Sequence, residues 1–165
     1  MDGGHDPAYS RAPEPDDVVR ICRALNDAGA RYVLIGGIAV IAHGAGRYTK
    51  DVDLLIDDDP DNVARVKRAL SILPDNAAAG IADTDIREFE VIRVADEILV
   101  DLMGRACGLS YADIVADAEH VDLGGVIVPI ASPSSLIRMK NTRRPQDLLD
   151  RAYLDGVIRD RKARP

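Results

Sequence analysis

The chain has 165 residues, 47% of them apolar, which suffices to bury one ordinary core but not two comfortable domains. A formal net charge of −7 argues against a protein that coats nucleic acid nonspecifically, because that mode of binding relies on a large cationic surface. No run of about 18 uninterrupted apolar residues occurs, MDGGHDPAYSRAPEP has no apolar core for a signal, and Cys22 and Cys107 show neither metal-ligand nor disulfide spacing; a cytoplasmic protein with no membrane partner is expected.

Residues 1–14 mix Gly, Pro, His and Asp without periodicity and read as a flexible leader, leaving 15–160 as one domain. From Asp16 to Ala28, Val18, Ile21, Cys22 and Leu25 follow helical spacing, with Gly29 as the stop. RYVLIGG reads as a short buried strand ending at Gly36-Gly37, and IAVIAHG as a short helix starting directly from the glycines. In TKDVDLLIDDD, Val52, Leu54, Leu55 and Ile56 make a strand that Asp57 to Asp59 end; Asp59-Pro60 then opens a helix to about Leu70, with Asp as N-cap and Pro at its first position. EFEVIRV and EILVDLM flank Ala95-Asp96, a tight hairpin. Residues Tyr111 to Ala118 suggest a short helix, HVDLGGVIVPI a second hairpin turning at Gly124-Gly125, and two helices close the chain: Pro133 to about Asn141, capped by Ser132, and Pro145 to about Arg159. The fold class is therefore mixed α/β (α+β), a mixed sheet flanked by helices.

With 23 Asp against 5 Glu, short Asp patterns arise by chance here, so position must separate chemistry from accident. Asp51 and Asp53 lie two apart on a predicted strand, which points both carboxylates to one face about 6 to 7 Å apart along the chain. Such a pair is poorly tolerated in apolar surroundings unless a cation neutralises it, and hard oxygen ligands suit Mg²⁺ better than zinc. Asp57/Asp59, Asp59/Asp61 and Asp83/Asp85 share the spacing but occupy polar turn sequence. Asp101 interrupts the apolar run ILVDLM: it sits either on a wet strand face or beside a partner. With the hairpin turning at Ala95-Asp96, Glu90 pairs across from Asp101, and like charges in that arrangement repel unless a cation or a raised pKa relieves them.

Gly36-Gly37 at a strand end before a helix exposes backbone N–H groups and the positive helix end to an anion, though a plain tight turn accounts for a glycine pair as well. Gly44-Ala45-Gly46 has no third glycine, so it is not a dinucleotide fingerprint, and no P-loop is present. His43 reads as a helix-terminal residue favoured by the dipole, and Arg65, Lys67 and Arg68 as a solvated face.

Taken together, GGIAVIAHGAGRYTKDVDLLID resembles the signature of the polymerase-beta-like nucleotidyltransferase superfamily, in particular its small bacterial branch that includes abortive-infection-type toxin nucleotidyltransferases. In that signature a glycine pair is followed, across one short helix, by Arg, Thr and an Asp-x-Asp strand, with a third Asp on a later strand. The resemblance implies a minimal nucleotidyltransferase fold in which Asp51, Asp53 and Asp101 hold two Mg²⁺ ions and perform the catalysis. It also implies that Gly36, Gly37, Arg47 and Thr49 face the nucleotide, with Arg47 either stabilising phosphate charge or pairing with an aspartate. SPSSLIRMKNTRRPQDLLD is similar to the family's closing segment, so that Lys140 would contact triphosphate and Asp147 would hold Lys140 or a neighbouring strand end; a snorkelling lysine is the alternative. The implied reaction moves NMP from an NTP to an acceptor hydroxyl, on RNA or tRNA, protein or a small molecule, with release of pyrophosphate. A homodimer or a cognate antitoxin is a further implied partner, and a non-catalytic nucleotide- or partner-binding module of a toxin–antitoxin pair is the competing reading.

Overall fold

In the computed structural model, which describes residues 6–165, the first helix forms where Pro15 can sit in a first turn that needs no N–H from it. This helix, α1 (Pro15–Asp27), is closed at its start by a reciprocal capping box between Glu14 and Asp17, and it buries Val18, Ile21, Cys22 and Leu25, the predicted apolar face. Residues 1–5 of the expected leader lie outside the described residues. Ser10 and Arg11, from its later part, are bound to the body: the Ser10 hydroxyl donates to the Asp96 carbonyl at 2.7 Å, and the Arg11 guanidinium donates to Asp17 and Glu97.

Strand β1 (Tyr32–Ile35) is buried along its whole length and runs straight into α2 (Gly36–Ala42). Strand β2 (Asp51–Ile56) follows, then α3 (Pro60–Leu70), whose N-cap Asp59 accepts from the Asp61 N–H as expected. After a one-turn helix α4 (Asp85–Glu88) come β3 (Ile92–Ala95) and β4 (Leu99–Met103). Two-residue strands β5 (Arg105–Ala106) and β6 (Leu109–Ser110) form a small hairpin that patterning does not reveal; Cys107 and Gly108 turn it, both at positive φ. The short helix α5 (Tyr111–Ile114) precedes the hairpin of β7 (Glu119–Leu123) and β8 (Val126–Ile130), which turns at Gly124-Gly125 as predicted. Helix α6 (Pro133–Met139) has the expected Ser132 cap, and α7 (Pro145–Ala163) extends beyond the expected end.

The six longer strands make one mixed sheet in the order β3-β4-β2-β1-β8-β7. Helices α1 and α3 pack on each other, α2 packs on β1 and β2, and α6 and α7 pack together. The order puts the hydrophobic strands β1 and β2 at the centre, where Val33, Leu34, Val52, Leu54, Leu55 and Ile56 are fully buried.

One expected register is corrected. The β3–β4 hairpin does not turn at Ala95-Asp96: Ala95 pairs with Leu99, and the residue opposite Asp101 is Arg93, not Glu90. The cause is Asp96, a fully buried side chain that accepts from the N–H groups of Asp75, Ala77 and Glu97. These bonds hold the chain at Asp96 and move the turn onto Asp96 to Ile98, leaving Glu90 exposed outside the strand.

Candidate active site

Two pairings build the site. Strands β2 and β4 run parallel with Asp53 opposite Asp101, and β4 runs antiparallel to β3 with Arg93 opposite Asp101. Residues in register on neighbouring strands point to the same face, and Asp51, two residues before Asp53, shares it. A row of Arg93, Asp101 and Asp53 therefore crosses three strands, with Asp51 beside it. One carboxylate oxygen from each of Asp51, Asp53 and Asp101 lies within 4.8 Å of the others. The Asp-x-Asp and the later Asp predicted from sequence thus converge.

The electrostatics match a cation site. Burial is the largest cause that raises the pKa of Asp53, repulsion from Asp51 and Asp101 comes next, and the group is pushed up to about 7. Burial, then Asp101, also raises Asp51 above its usual range, against partial offsets from Arg93, Arg144 and Arg47. Three hard oxygen donors within one ion's span, one of them costly to ionise without a counter-charge, fit a divalent cation of the Mg²⁺ type.

The glycine pair adjoins this triad. Gly36 has φ +69°, and a Cβ there would stand 2.0 Å from Asp53 Oδ2, so both backbone conformation and space demand glycine. A Cβ on Gly37 would meet the Thr49 hydroxyl at 2.7 Å and the Arg47 guanidinium at 3.0 Å. The backbone at the start of α2 is thus pressed against Asp53, Thr49 and Arg47, and the structure brings Gly36, Gly37, Arg47 and Thr49 to one end of the sheet. The hydroxyl of Thr49 donates to the Asp51 carbonyl at 3.4 Å.

The closing segment forms a buried ion network that sequence reasoning only half identified. Lys140, the C-cap of α6, is buried, with its ammonium 2.9 Å from Asp150 and 3.7 Å from Asp147. It is an ion-paired lysine, not a snorkelling one. Asp147 also accepts from the Thr142 hydroxyl. Arg47 meets Asp150 in bidentate fashion, at 3.0 and 2.8 Å. Burial alone would raise the pKa of Asp150, but hydrogen bonds from Lys140, Arg47 and Gln146 outweigh it and hold the group below the usual carboxylate value. Asp150, the side chain that joins the two cations, was missed, as was Arg93; Asp150 lies on a helix where no spacing marks it, and Arg93 lies in the apolar run VIRVA, where its partner depends on a strand register that the local pattern does not give. His43 caps α2, and its ring bonds the Ala131 carbonyl at 2.9 Å, in line with a structural role.

The mixed sheet thus gathers three carboxylates beside a glycine-opened helix start. The chain belongs to the family described as nucleotidyl transferases of unknown function (DUF2204), whose model matches residues 14–158. Among solved structures it is similar to a candidate nucleotidyltransferase from Thermotoga maritima, at 17% identity and TM-score 0.54 over 96% of this chain and 97% of that one. It is also similar to an antigenic nucleotidyltransferase-like protein from Paracoccidioides brasiliensis, at 18% identity and TM-score 0.54 over 90% of this chain and 78% of that one. At these identities the likeness bears on the fold alone. No curated protein matches the chain. Among the described residues, no helix is long and apolar enough to cross a membrane.

Proposed function

We propose that the protein is a metal-dependent nucleotidyltransferase that moves NMP from an NTP to an acceptor hydroxyl. The observation that carries this reading is the convergence of Asp51, Asp53 and Asp101 beside Gly36-Gly37 in a chain of a nucleotidyltransferase family. In the reaction, the acceptor oxygen attacks the α-phosphorus, the bond to the β-phosphate oxygen breaks, and pyrophosphate leaves. Two Mg²⁺ ions held by the triad would supply charge neutralisation and activate the attacking oxygen.

The chain's own residues bind and orient. The N–H groups at Gly36-Gly37, at the start of α2, bind the β and γ phosphates. Lys140 and Arg47, held by Asp150, present fixed positive charge to the triphosphate, and Thr49 lines the same end. Asp101 receives the proton of the acceptor hydroxyl. Most of the rate comes from positioning and from electrostatics arranged before the reaction.

The acceptor is an RNA end, a protein hydroxyl or a small molecule, a choice made by surfaces outside the shared motif. The exposed Arg143 and Arg144, on the connection between α6 and α7, supply local positive charge for a phosphate-bearing acceptor, and Arg144 is near enough to favour ionised Asp51. A homodimer or a cognate partner would extend the acceptor surface.

Calorimetry with a non-hydrolysable NTP analogue, with and without Mg²⁺, on wild type and on Asp51→Ala/Asp53→Ala, tests the reading. Binding that needs Mg²⁺ and vanishes in the double variant is expected. If wild type binds neither Mg²⁺ nor any NTP, the chain is a binding module on a nucleotidyltransferase fold.

A further inference from the structure

The metal reading leaves Arg93 without a role, although it bonds two of the three triad carboxylates. Its Nε donates to Asp101 Oδ1 at 2.9 Å, and one terminal nitrogen donates to Asp101 Oδ2 at 2.9 Å and to Asp51 Oδ2 at 3.1 Å. A single guanidinium thus spans carboxylates from two adjacent strands. Lys140 and Arg47 are committed to Asp150, and among the described residues Arg93 alone is ion-paired with the triad.

We propose that Arg93 is a built-in occupant of the cation site: it neutralises Asp51 and Asp101 in the metal-free protein and sets metal affinity by competing with the divalent ion for their oxygens. This rests on the metal-dependent reading above. Guanidinium donors and a divalent cation seek the same carboxylate lone pairs, so loading the metal is an exchange rather than an addition. The contact to Asp51 breaks most readily. It is the longest of the three, and it comes from a nitrogen already engaged by Asp101.

The position of Arg93 permits such an exchange. β3 is an edge strand of the sheet, and the Arg93 side chain is 45% exposed, so the head group can move into water without disturbing the core. Asp101, by contrast, is buried and stays on β4. A divalent ion alone must displace an ion pair, whereas one that arrives with a triphosphate brings phosphate oxygens that replace ligands still held by Arg93. Metal and nucleotide therefore bind interdependently, and Arg93 acts as a positioning residue that keeps the metal-free site closed to stray cations.

The test is calorimetric titration of the full chain with Mn²⁺ in the absence of nucleotide, on wild type, Arg93→Met and Arg93→Lys, together with the melting temperature of each with and without Mn²⁺. Loss of a charge-assisted competitor worth about 1.4 kcal/mol or more corresponds to about tenfold tighter Mn²⁺ binding in Arg93→Met. Arg93→Lys, which keeps the charge but loses the fork, should fall between. Metal-free Arg93→Met should melt below wild type, and Mn²⁺ should raise its melting temperature by more than it raises that of wild type. A merely structural Arg93 would lower the melting temperature and leave Mn²⁺ affinity unchanged or weaker, which overturns the proposal while the metal site stands. If no variant binds Mn²⁺, the metal reading fails and this inference fails with it. Should Arg93→Met not fold without metal, Arg93→Lys alone decides: affinity no tighter than wild type rejects the competition.

Discussion

Gly36 and Asp53 are in mutual contact across two neighbouring strand ends: a Cβ on Gly36 would lie 2.0 Å from the Asp53 carboxylate oxygen and 2.8 Å from its Cβ. Ile35 pairs with Asp53 in the β1–β2 ladder, so the next residue must clear that carboxylate as the chain turns into α2. The turn also needs φ +69°. The glycine and the aspartate of the family signature are therefore two sides of one packing requirement.

Gly36→Ala should accordingly destabilise the protein by about 1–3 kcal/mol, combining left-handed backbone strain with displacement of Asp53. Gly46→Ala is the control, since a Cβ there meets nothing within 4 Å. Urea denaturation of both measures this. Equal stability of the two variants would mean that the Gly36–Asp53 contact is unimportant.

The raised pKa of Asp53 predicts a pH dependence whose sign can be worked out. In the unfolded chain an Asp ionises near about 3.9, while in the folded, metal-free protein Asp53 ionises at about 7. The folded state then holds a proton that the unfolded state has released, so this group's contribution to stability is best below the unfolded value and declines as pH rises toward about 7. Asp53→Asn should raise the melting temperature of metal-free protein by a few degrees at about pH 8, and by less at about pH 5. Thermal melts in the presence of a chelator check it, and a variant no more stable than wild type at the higher pH contradicts the assignment.

Asp150 holds two cations that come from distant parts of the chain. Asp150→Ala leaves Lys140 buried without its nearest partner and frees Arg47, and breaking a buried pair in this way costs about 3–5 kcal/mol. The loss should be accompanied by weaker docking of α7, visible as faster amide exchange along Pro145–Ala163. A change of only a few tenths of a kcal/mol would show that the network is not holding the helix.

Asp96→Ala separates structural from chemical aspartates. It leaves three backbone N–H groups without their acceptor, for a cost of about 2–4 kcal/mol. These bonds anchor the β3–β4 turn, so urea denaturation should show the loss together with faster amide exchange along Ile92–Ala95 and Leu99–Met103. Unchanged stability would show that Asp96 does not hold the turn.

Much of the fold was legible because it is written in neighbouring residues. A buried strand before two glycines, Pro60 and Pro133 in first helical turns, Ser132 as a cap and the Gly124-Gly125 turn each depend on local sterics and hydrogen bonding, and all formed where the pattern placed them. The Asp51/Asp53 pair was legible for the same reason, since strand alternation alone puts both on one face. Tertiary structure decided which of the 23 aspartates meet and what they meet. Arg93 faces Asp101 because buried Asp96 captures backbone N–H groups from a distant segment and shifts the hairpin's pairing, so that Arg93 and not Glu90 lies opposite Asp101. Asp150 joins Lys140 to Arg47 because α7 packs back over α6, beyond the reach of any local spacing rule. Charge pairing of this kind depends on distance in space, and a buried carboxylate takes whatever partner the packed elements bring to it.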